Sequence, residues 1–425
     1  MVYKKFLKVF FSVSLFFFTQ PLPAFNPDFD RGVDIRSAVE ESRKIESEFA
    51  YAEDERENPV WISVSDTDLA GLGNEFDFTS RQPLAHGNTV SVFKVKESEL
   101  DELSDIMNRR FHKSAGFFAH TSFESALKDI IAPPAAMAGA FTIDRPDVVK
   151  PMLQMVSEEN ISDIITKLSA YKNRYYRSET GVSSARWLAG YWKELVKDRA
   201  DVSVALHRHA SWPQESVILT VKGSANPEQV AVLGGHFDSI AGWGSSDPVA
   251  PGADDNASGI AALTEAIRVM VKAGYKPKIT LKFIAYAAEE VGLRGSREIA
   301  DAFKKEGVAV QGVIQLDMAN YKGSADDIYL IADHTNAAQN AFLGKLIETY
   351  TNYRWGETKC GYACSDHASW TANGFIASFP FEAKMGEDNP NIHSAKDTLA
   401  QTGGHSKHAF KFANLAVAYL VEMGK

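Results

Sequence analysis

The chain has 425 residues, of which 45% are hydrophobic and 24% are charged, a balance that allows a large folded core in one or two domains. Its formal net charge is −10, and it contains no basic stripe, P-loop or dinucleotide fingerprint. These features argue against nucleic acid as a partner and against extended disorder.

Residues 1–24 have the basic region followed by an apolar run that is typical of a secretory signal peptide. Three lysines precede the apolar run 9–18, which is too short to cross a bilayer. A buried helix is the alternative, but the basic-then-apolar order at the terminus favours export, with cleavage near Ala24. We therefore expect a secreted, extracellular protein with no membrane attachment after the signal is removed.

Residues 25–141 are predominantly polar and contain two strand candidates, at 59–66 and 89–95, which predict a small α+β segment. The segment ends in the Pro/Ala/Gly stretch Ile130–Phe141, which is typical of an exposed linker open to proteases. We interpret it as an amino-terminal propeptide that an activating protease removes by cutting this linker. A permanent amino-terminal domain with a hinge is the alternative.

Residues 142–425 alternate strand-like and helical segments. This is the βαβ rhythm of an open, mostly parallel mixed α/β sheet with helices on both faces. The strand candidates are 216–223, 229–235, 278–287, 312–319, 327–333 and 374–382, and the helix candidates are 259–273, 296–305, 336–350 and 405–423. Sheets of this type bind their ligands beyond the carboxyl ends of the strands, so the chemistry is expected there.

A histidine and several carboxylates follow the most apolar strand candidate. His236 and Asp238 are two residues apart, so in an extended chain they point the same way, and Asp238 can accept the ring N–H that a metal ion leaves free. After a loop rich in Gly, Ser and Pro, Asp254 or Asp255 precedes a helix and can reach the same pocket. The alternative is a solvated acidic turn with Asp255 or Asn256 as the helix N-cap.

Later strand ends carry further acidic residues. Glu289 and Glu290 are adjacent and so point in different directions, which would let one bind metal while the other handles protons; a surface helix cap is the alternative. Asp317 is a lone carboxylate in an otherwise apolar strand, where burial is costly without a partner or a metal ion. His393 lies in a loop, where a histidine is usually a surface residue, but here it completes a set of candidate ligands.

Cys360 and Cys364 are the only cysteines. In an exported chain, so close a pair favours a disulfide over a zinc knuckle or a redox motif. Because the loop that it closes is short, the chain-entropy stabilisation would be small, and the bridge would mainly fix the shape of the loop. We therefore expect this loop to form part of a site.

Six motifs together resemble the secreted bacterial leucyl aminopeptidases of the M28 type, over about Thr142–Lys425. The motifs are GGHFDS, PGADDNASG, AYAAEEVGLRGS, QLDMANYKGS, CGYACSDHASW and NPNIHSAKDTL. Their order, spacing and flanking residues agree with that family. The upstream segment resembles the propeptide of those enzymes more weakly, through VWISV and GFFAHTSFESAL. The resemblance implies peptide substrates with a free amino terminus, and we expect the enzyme to be a monomer.

The resemblance also implies two zinc ions and a catalytic apparatus around them. The implied ligands are His236 and Asp317 for one ion, Glu290 and His393 for the other, and Asp255 as the bridge. Glu289 matches the general base, Tyr362 matches the residue that helps to stabilise the oxyanion, and Asp238 matches the partner that orients His236. Five nitrogen and oxygen donors without a thiolate also suit zinc on chemical grounds.

The same matching points to an apolar pocket for the substrate side chain, next to the CGYAC loop. Its implied members are Met318, Phe379, Phe381, Met385 and Ile392. An ordinary core position is the alternative for each of them. An apolar lining would suit leucine and other large apolar residues.

Two kinds of alternative function stay open. A related zinc exopeptidase or amidohydrolase, such as a carboxypeptidase, a deacetylase or a single-zinc cyclase, would share these features, although the complete ligand set argues against the cyclase. A non-catalytic peptidase-like binding domain would typically lack ligands or the base. Glu289 and all five ligands are present, which favours an enzyme.

Overall fold

A computed structural model of the chain describes residues 58–130 and 141–425, apart from gaps at 74, 79–82, 88, 112, 114 and 243–247. The described residues belong to one compact unit that spans residues 53–425. None of their helices is long and apolar enough to cross a membrane. The predicted signal peptide and linker residues 131–140 lie outside the described residues.

The amino-terminal module, residues 58–130, is an antiparallel sheet with three helices, and its strands β1 and β3 coincide with the predicted strands at 59–66 and 89–95. Its strands are β1 (Pro59–Ser65), β2 (Ala85–Gly87), β3 (Val90–Lys96) and β4 (Phe117–His120), and its helices are α1 (Asp66–Leu72), α2 (Glu99–Phe111) and α3 (Phe123–Ile130). The strand order is β2-β3-β1-β4. Helix α2 buries Leu100, Leu103 and Met107 at helical spacing against this sheet, so the module has a hydrophobic core of its own.

The carboxyl-terminal module, residues 141–425, is built on a six-stranded mixed sheet. Its strands are β5 (Val202–His207), β6 (Ser216–Val221), β7 (Asn226–His236), β8 (Ile279–Tyr286), β9 (Ala309–Gln315) and β12 (Ala377–Ser378), in the order β12-β9-β7-β8-β6-β5. Strands β12, β9, β7 and β8 are parallel, whereas β6 and β5 add an antiparallel edge. This confirms the predicted open, mostly parallel mixed sheet.

Three further strands form a small second sheet in the same module. They are β10 (Ile328–Ile331), β11 (Trp355–Thr358) and β13 (Pro380–Phe381), in the order β11-β10-β13. The helices of the module are α4 (Pro146–Leu153), α5 (Glu158–Ser169), α6 (Glu179–Leu195), α7 (Ala257–Lys272), α8 (Arg294–Glu306), α9 (Ala337–Tyr350), α10 (His367–Ala372) and α11 (Ala409–Met423).

Helices cover both faces of the six-stranded sheet, which explains the continuous apolar run in β7. Ala231 and Leu233 point to one face and pack in the large core with α5, α7 and α11. Val230 and Val232 point to the other face, where they pack with residues of α8 and α10 such as Ile299. Because successive side chains of a strand alternate between faces, both sets must be apolar.

The structure corrects several predicted boundaries. Asp317 does not lie inside a strand, because β9 ends at Gln315 and the left-handed backbone of Met318 (φ 50°) stops the extended chain. Helix α7 begins at Ala257, before the predicted start. The predicted strand 374–382 is divided between β12 of the six-stranded sheet and β13 of the small second sheet. In this module, strands β5 and β11 and helices α4, α5, α6 and α10 are not among the predicted elements.

Candidate metal centre and active site

Asp255 lies between two histidines. Its Oδ1 is 3.0 Å from Nε2 of His236, and its Oδ2 is 3.0 Å from Nε2 of His393. Asp317 Oδ1 is 3.1 Å from the first of these nitrogens, and Glu290 Oε2 is 2.8 Å from the second. The five residues predicted as ligands therefore lie together, as two triads whose donor atoms are within 4.8 Å of one another and which share Asp255.

Neighbouring parallel strands explain why these residues meet. His236 ends β7, which pairs with β8 on one side and with β9 on the other. Glu290 follows β8 and Asp317 follows β9, so the three chain ends open at the same edge of the sheet. Asp255 reaches this edge from the start of α7, and His393 reaches it from the loop after β13.

The chemistry of the donors fits a divalent cation. Asp255 Oδ1 and His393 Nε2 are buried and make no hydrogen bond, although oppositely charged groups lie about 3 Å away. Donor atoms that point at metal ions, rather than at each other, have this arrangement. Burial and the charge of Asp255 raise the pKa of Glu290 to about 7, because buried carboxylates that lie close together disfavour the charged form.

Carboxylate groups surround both histidines and raise their pKa values. Burial alone would lower the pKa of His236, but Asp317 and Glu289 raise it well above its usual range. The pKa of His393 is likewise raised by Glu290 and Asp255 against the effect of burial. A metal ion would supply the positive charge that protons otherwise supply here, and imidazole and carboxylate donors without sulfur suit zinc.

Asp238 connects His236 to the two glutamates. Its Oδ1 is 3.5 Å from Nδ1 of His236, on the ring edge that faces away from the donor set. The same carboxylate accepts the backbone N–H groups of Glu289 and Glu290, at 3.0 and 3.2 Å. One buried side chain therefore positions the histidine ring and the loop after β8 relative to each other.

Asn256 is the helix N-cap that the sequence allowed, but it does more than cap α7. Its Oδ1 accepts the N–H of Gly259 at 2.9 Å, which is the cap, and the N–H of Met318 at 3.2 Å. Its Nδ2 donates to the carbonyl oxygens of His236 and Leu316, at 3.1 and 2.9 Å. This side chain ties the ends of β7 and β9 to the start of α7.

Two further polar residues that sequence reasoning missed hold the ligands in place. Asp397 accepts the backbone N–H of Asp255 at 3.0 Å, and Ser365 donates a 2.6 Å hydrogen bond to Oδ2 of Asp317. Asp254, the other aspartate considered for the site, instead accepts hydrogen bonds from asparagines outside the donor set. No local pattern signals Asp397 or Ser365, because each acts on a residue distant in sequence.

Glu289 reaches the same space without joining either triad. Its Oε2 is 4.0 Å from Nε2 of His236, and the side chain is buried. Burial raises the pKa of Glu289 well above its ordinary value, while the nearby imidazole opposes the shift. A carboxylate beside a donor set, rather than inside it, has the placement that a proton carrier needs.

An apolar cluster borders the donor set and contains every residue predicted for the substrate pocket. The predicted members are Met318, Phe379 and Phe381, which are buried, and Met385 and Ile392, which are partly buried. Ile331 also belongs to this cluster and had not been predicted. Met318 directly follows one ligand candidate and Ile392 directly precedes another, so the cluster is continuous with the donors.

The predicted disulfide joins Cys360 to Cys364, whose Cα atoms are 6.1 Å apart. The side chain of Asp333 accepts the N–H groups of Cys360 and Gly361, at 3.0 and 2.6 Å, which fixes the start of the loop. Tyr362 packs at the edge of the apolar cluster. The loop therefore lies against the apolar cluster, and its role in a substrate site stays a prediction.

Helix α2 of the amino-terminal module lies against the donor set. Ser104 donates a 2.6 Å hydrogen bond to the backbone oxygen of Glu290, and the side-chain amide of Asn108 contacts Nδ1 of His393. Just beyond the helix, Nζ of Lys113 lies 4.9 Å from the ring centre of Tyr362. Three residues predicted to act in the site thus touch this module.

Contacts away from the donors also join the two modules. A buried ion pair links Asp129 to Arg297, and Lys128 lies 3.0 Å from Asp301. The N–H of Ala119 donates to the carbonyl oxygen of Gly292 at 2.9 Å. A cavity of about 400 Å³ between the modules has Tyr362 among its lining residues.

The fold and the buried donor set define a metallohydrolase of the α/β type, and comparison with known proteins specifies the family. Residues 216–418 match the model of peptidase family M28. The chain is 32% identical to a probable aminopeptidase of Saccharomyces cerevisiae over 78% of its own length and 92% of the yeast protein. It is 35% identical to a probable leucine aminopeptidase of Arthroderma benhamiae, over 72% of this chain and 86% of that one.

Among solved structures, the LapA aminopeptidase of Legionella pneumophila is similar, with a TM-score of 0.75 and 25% identity. The similarity covers 86% of this chain and 98% of that one. Because residues 141–425 are only about two thirds of the chain, it extends into the amino-terminal module. The chain belongs to peptidase family M28, which confirms the predicted class of enzyme, a zinc-dependent aminopeptidase.

Proposed function

We propose that this protein is a two-zinc aminopeptidase that removes leucine and other large apolar residues from peptides with a free amino terminus. The observation that carries the proposal is the position of Asp255, with one carboxylate oxygen 3.0 Å from each of His236 and His393. A carboxylate that belongs to two triads of nitrogen and oxygen donors suits a site for two neighbouring ions.

The residues around the donors have separate roles in this mechanism. When bound, the ions would lower the pKa of a water molecule and polarise the substrate carbonyl group. Glu289 accepts the proton of the attacking water and delivers it to the leaving amine, which a carboxylate outside the ligand triads can do. The hydroxyl group of Tyr362 donates to the oxygen on which negative charge develops. Asp238 keeps His236 in its ligating orientation.

The apolar cluster beside the donors receives the amino-terminal side chain. Met318, Phe379 and Phe381 offer large apolar surfaces, and none of the described members of the cluster is a lysine or an arginine. A glutamate or aspartate side chain would lose its hydration there without gaining a partner. Leucine, methionine and phenylalanine are therefore the expected residues at the cleaved terminus.

The amino-terminal segment, residues 25–141, acts as a propeptide in this proposal. The protein is exported through a signal peptide at 1–24 and works as an extracellular monomer after an activating protease cuts the linker. The contacts of Ser104 and Asn108 with two ligand candidates support an inhibitory role for the segment. A tethered segment acts at an effective concentration on the order of millimolar, so even weak contacts would keep a cleft closed.

One assay tests the substrate assignment. The purified protein, cut at the linker and loaded with zinc, is given the p-nitroanilides of leucine, glutamate and N-acetyl-leucine. We expect cleavage of the leucyl substrate at least about 100-fold faster than cleavage of the glutamyl substrate, because several kcal/mol of desolvation oppose the acid, and no cleavage of the acetylated one. Equal leucyl and glutamyl rates would contradict the pocket, and efficient cleavage of the acetylated compound would favour an amidohydrolase.

A further inference from the structure

A third group of metal-type donors lies away from the candidate active site. His207 ends β5, His209 follows two residues later, and Glu298 projects from α8. One donor atom from each residue lies within 4.8 Å of the others. Among the described residues, the two triads that share Asp255 are the only other groups of three that meet this condition. Neither the family resemblance nor the catalytic proposal uses these three residues.

The distances within this group suit an ion held between both oxygens of one carboxylate and two imidazoles. Nδ1 of His209 is 2.9 Å from Oε2 of Glu298, and Nε2 of His207 is 3.9 Å from Oε1. Two donors that are each about 2.1 Å from a zinc ion at a tetrahedral angle are about 3.4 Å apart. The two separations lie on either side of that value, each within about half an ångström of it.

The ring of His209 is held in the orientation that a ligand needs. The side chain is buried, and its Nε2 lies 2.8 Å from Oγ of Ser216, which in turn accepts the N–H of Ala287 at 3.0 Å. Trp212 stacks on the ring, with centroids 4.4 Å apart. A metal-binding histidine commonly donates its other ring N–H to such an anchored oxygen, and this leaves Nδ1 directed at Glu298.

The second histidine has a polar atom that the protein does not satisfy. Nε2 of His207 is buried and has no hydrogen-bond partner, although the side chain as a whole is 33% exposed. Leaving such an atom unsatisfied costs about 1–3 kcal/mol. An ion between His207 and Glu298 would remove this cost. The Glu298 side chain is 28% exposed, so the site is open enough for the ion to enter and for water to complete its coordination.

We propose that His207, His209 and Glu298 bind one first-row transition-metal ion, with zinc as the reference case. Two imidazoles and a carboxylate favour zinc, copper or nickel over magnesium and calcium, which prefer all-oxygen sites. The ion would fasten the edge strand β5 to α8, whose Arg294 and Arg297 contact the amino-terminal module. The proposal does not depend on the zinc content or the activity of the catalytic centre.

Zinc counting on the full chain tests the site. The protein is stripped with a chelator, dialysed against a buffered excess of zinc and analysed by plasma mass spectrometry. We expect His207→Ala to hold one zinc per chain fewer than the wild type. Arg208→Ala, at an exposed position between the two histidines, is the matched control and should hold as much as the wild type. Equal zinc in His207→Ala and wild type, or an equal loss in Arg208→Ala, overturns the proposal.

A second variant guards against misfolding. Glu298→Gln keeps the side-chain volume but weakens the ligand, and it should also lose one zinc per chain. Before zinc is added, both variants should unfold cooperatively, and the midpoint of His207→Ala should be no lower than that of the stripped wild type, because the substitution removes an unsatisfied polar atom. Excess zinc should raise the midpoint more in the wild type and in Arg208→Ala than in either variant. A zinc-dependent rise of the same size in all four proteins contradicts the site.

Discussion

Glu289 and Glu290 are adjacent in sequence, yet only Glu290 comes within 2.8 Å of a histidine nitrogen. Glu289→Gln keeps the size of the side chain but removes its ability to carry a proton. We expect this variant to retain its zinc and to lose about 100-fold to 10,000-fold in kcat, the usual contribution of a general base. Metal analysis beside kinetics on a leucyl substrate measures both. Near-normal turnover would refute the assignment of the base.

Glu290→Ala should lose zinc, whereas Glu289→Gln should retain it. Its carboxylate belongs to the triad with Asp255 and His393, so its removal should cost zinc as well as turnover. We expect a lower zinc content than in Glu289→Gln under the same dialysis, with activity partly restored at higher zinc concentration. If both variants held the same zinc, the two glutamates would not have different roles.

Removal of the disulfide between Cys360 and Cys364 tests whether the loop that it closes shapes the site or mainly stabilises the fold. In the double variant Cys360→Ser, Cys364→Ser, the free energy of unfolding should fall by less than about 3 kcal/mol, because the closed loop is short. Turnover should fall at least about tenfold, because Tyr362 and one wall of the pocket would lose their fixed position. Chemical denaturation and kinetics give the two numbers. A large loss of stability with unchanged kcat would contradict a site-forming role.

The ligand candidates could be identified from the sequence by their residue types and positions. The residues that position them gave no local signal. His236, Glu290 and His393 are polar groups in or beside apolar segments, which is unusual enough to notice. Arg174 is fully buried and donates to the carbonyl oxygens of Phe237 and Gly252, so it braces the loop that leads to Asp255. These two carbonyl groups are more than 60 residues away from Arg174, and no spacing rule connects them.

At the level of elements, the start of α7 depends on one side chain that also holds two strand ends. Asn256→Ala would remove the helix cap, worth about 1 kcal/mol, and the donors to two buried carbonyl oxygens, worth about 1 kcal/mol or more each. We expect the free energy of unfolding to fall by about 3 kcal/mol, with a loss of zinc. Denaturant unfolding and metal analysis measure these effects.

Asn336→Ala is the matched control for this variant. Asn336 caps α9 by accepting the N–H groups of Ala338 and Gln339, both at 3.1 Å, and it lies outside the donor set. Its loss should cost about 1 kcal/mol and leave the zinc content unchanged. Equal effects of the two substitutions would mean that Asn256 acts only as a cap.

The central strands of the six-stranded sheet were predictable, and the edge strands β5 and β11 were not. Strands β6 to β9 are apolar enough to be found from their runs. Strand β5 lies at the sheet edge with no fully buried residue, and β11 has only four residues, so neither gives a strong pattern. Helix α5 is not among the predicted elements, although its buried residues Ile161, Ile164, Ile165 and Leu168 keep helical spacing.

For the molecule as a whole, the proposed precursor gives the most direct prediction. Limited proteolysis within about ten residues of Ala140 should raise the turnover of a leucyl substrate at least about tenfold, provided that the freed segment is diluted or digested. The new amino terminus is mapped by sequencing, and uncut protein under the same conditions is the control. Unchanged activity after a confirmed cut and complete removal of the segment would make the module a folding aid or a permanent domain.

The buried ion pair between Asp129 and Arg297 affects how the proposed activation proceeds after the linker is cut. Asp129 lies in α3, the last described element before residues 131–140, so a cut there leaves the interface intact. The severed segment then becomes a separate ligand with its own dissociation constant. Freshly cut enzyme should therefore remain inactive at high concentration and gain activity on dilution. Added segment should inhibit it again. The inactive state would then depend on the concentration of the protein as well as on whether the chain has been cut.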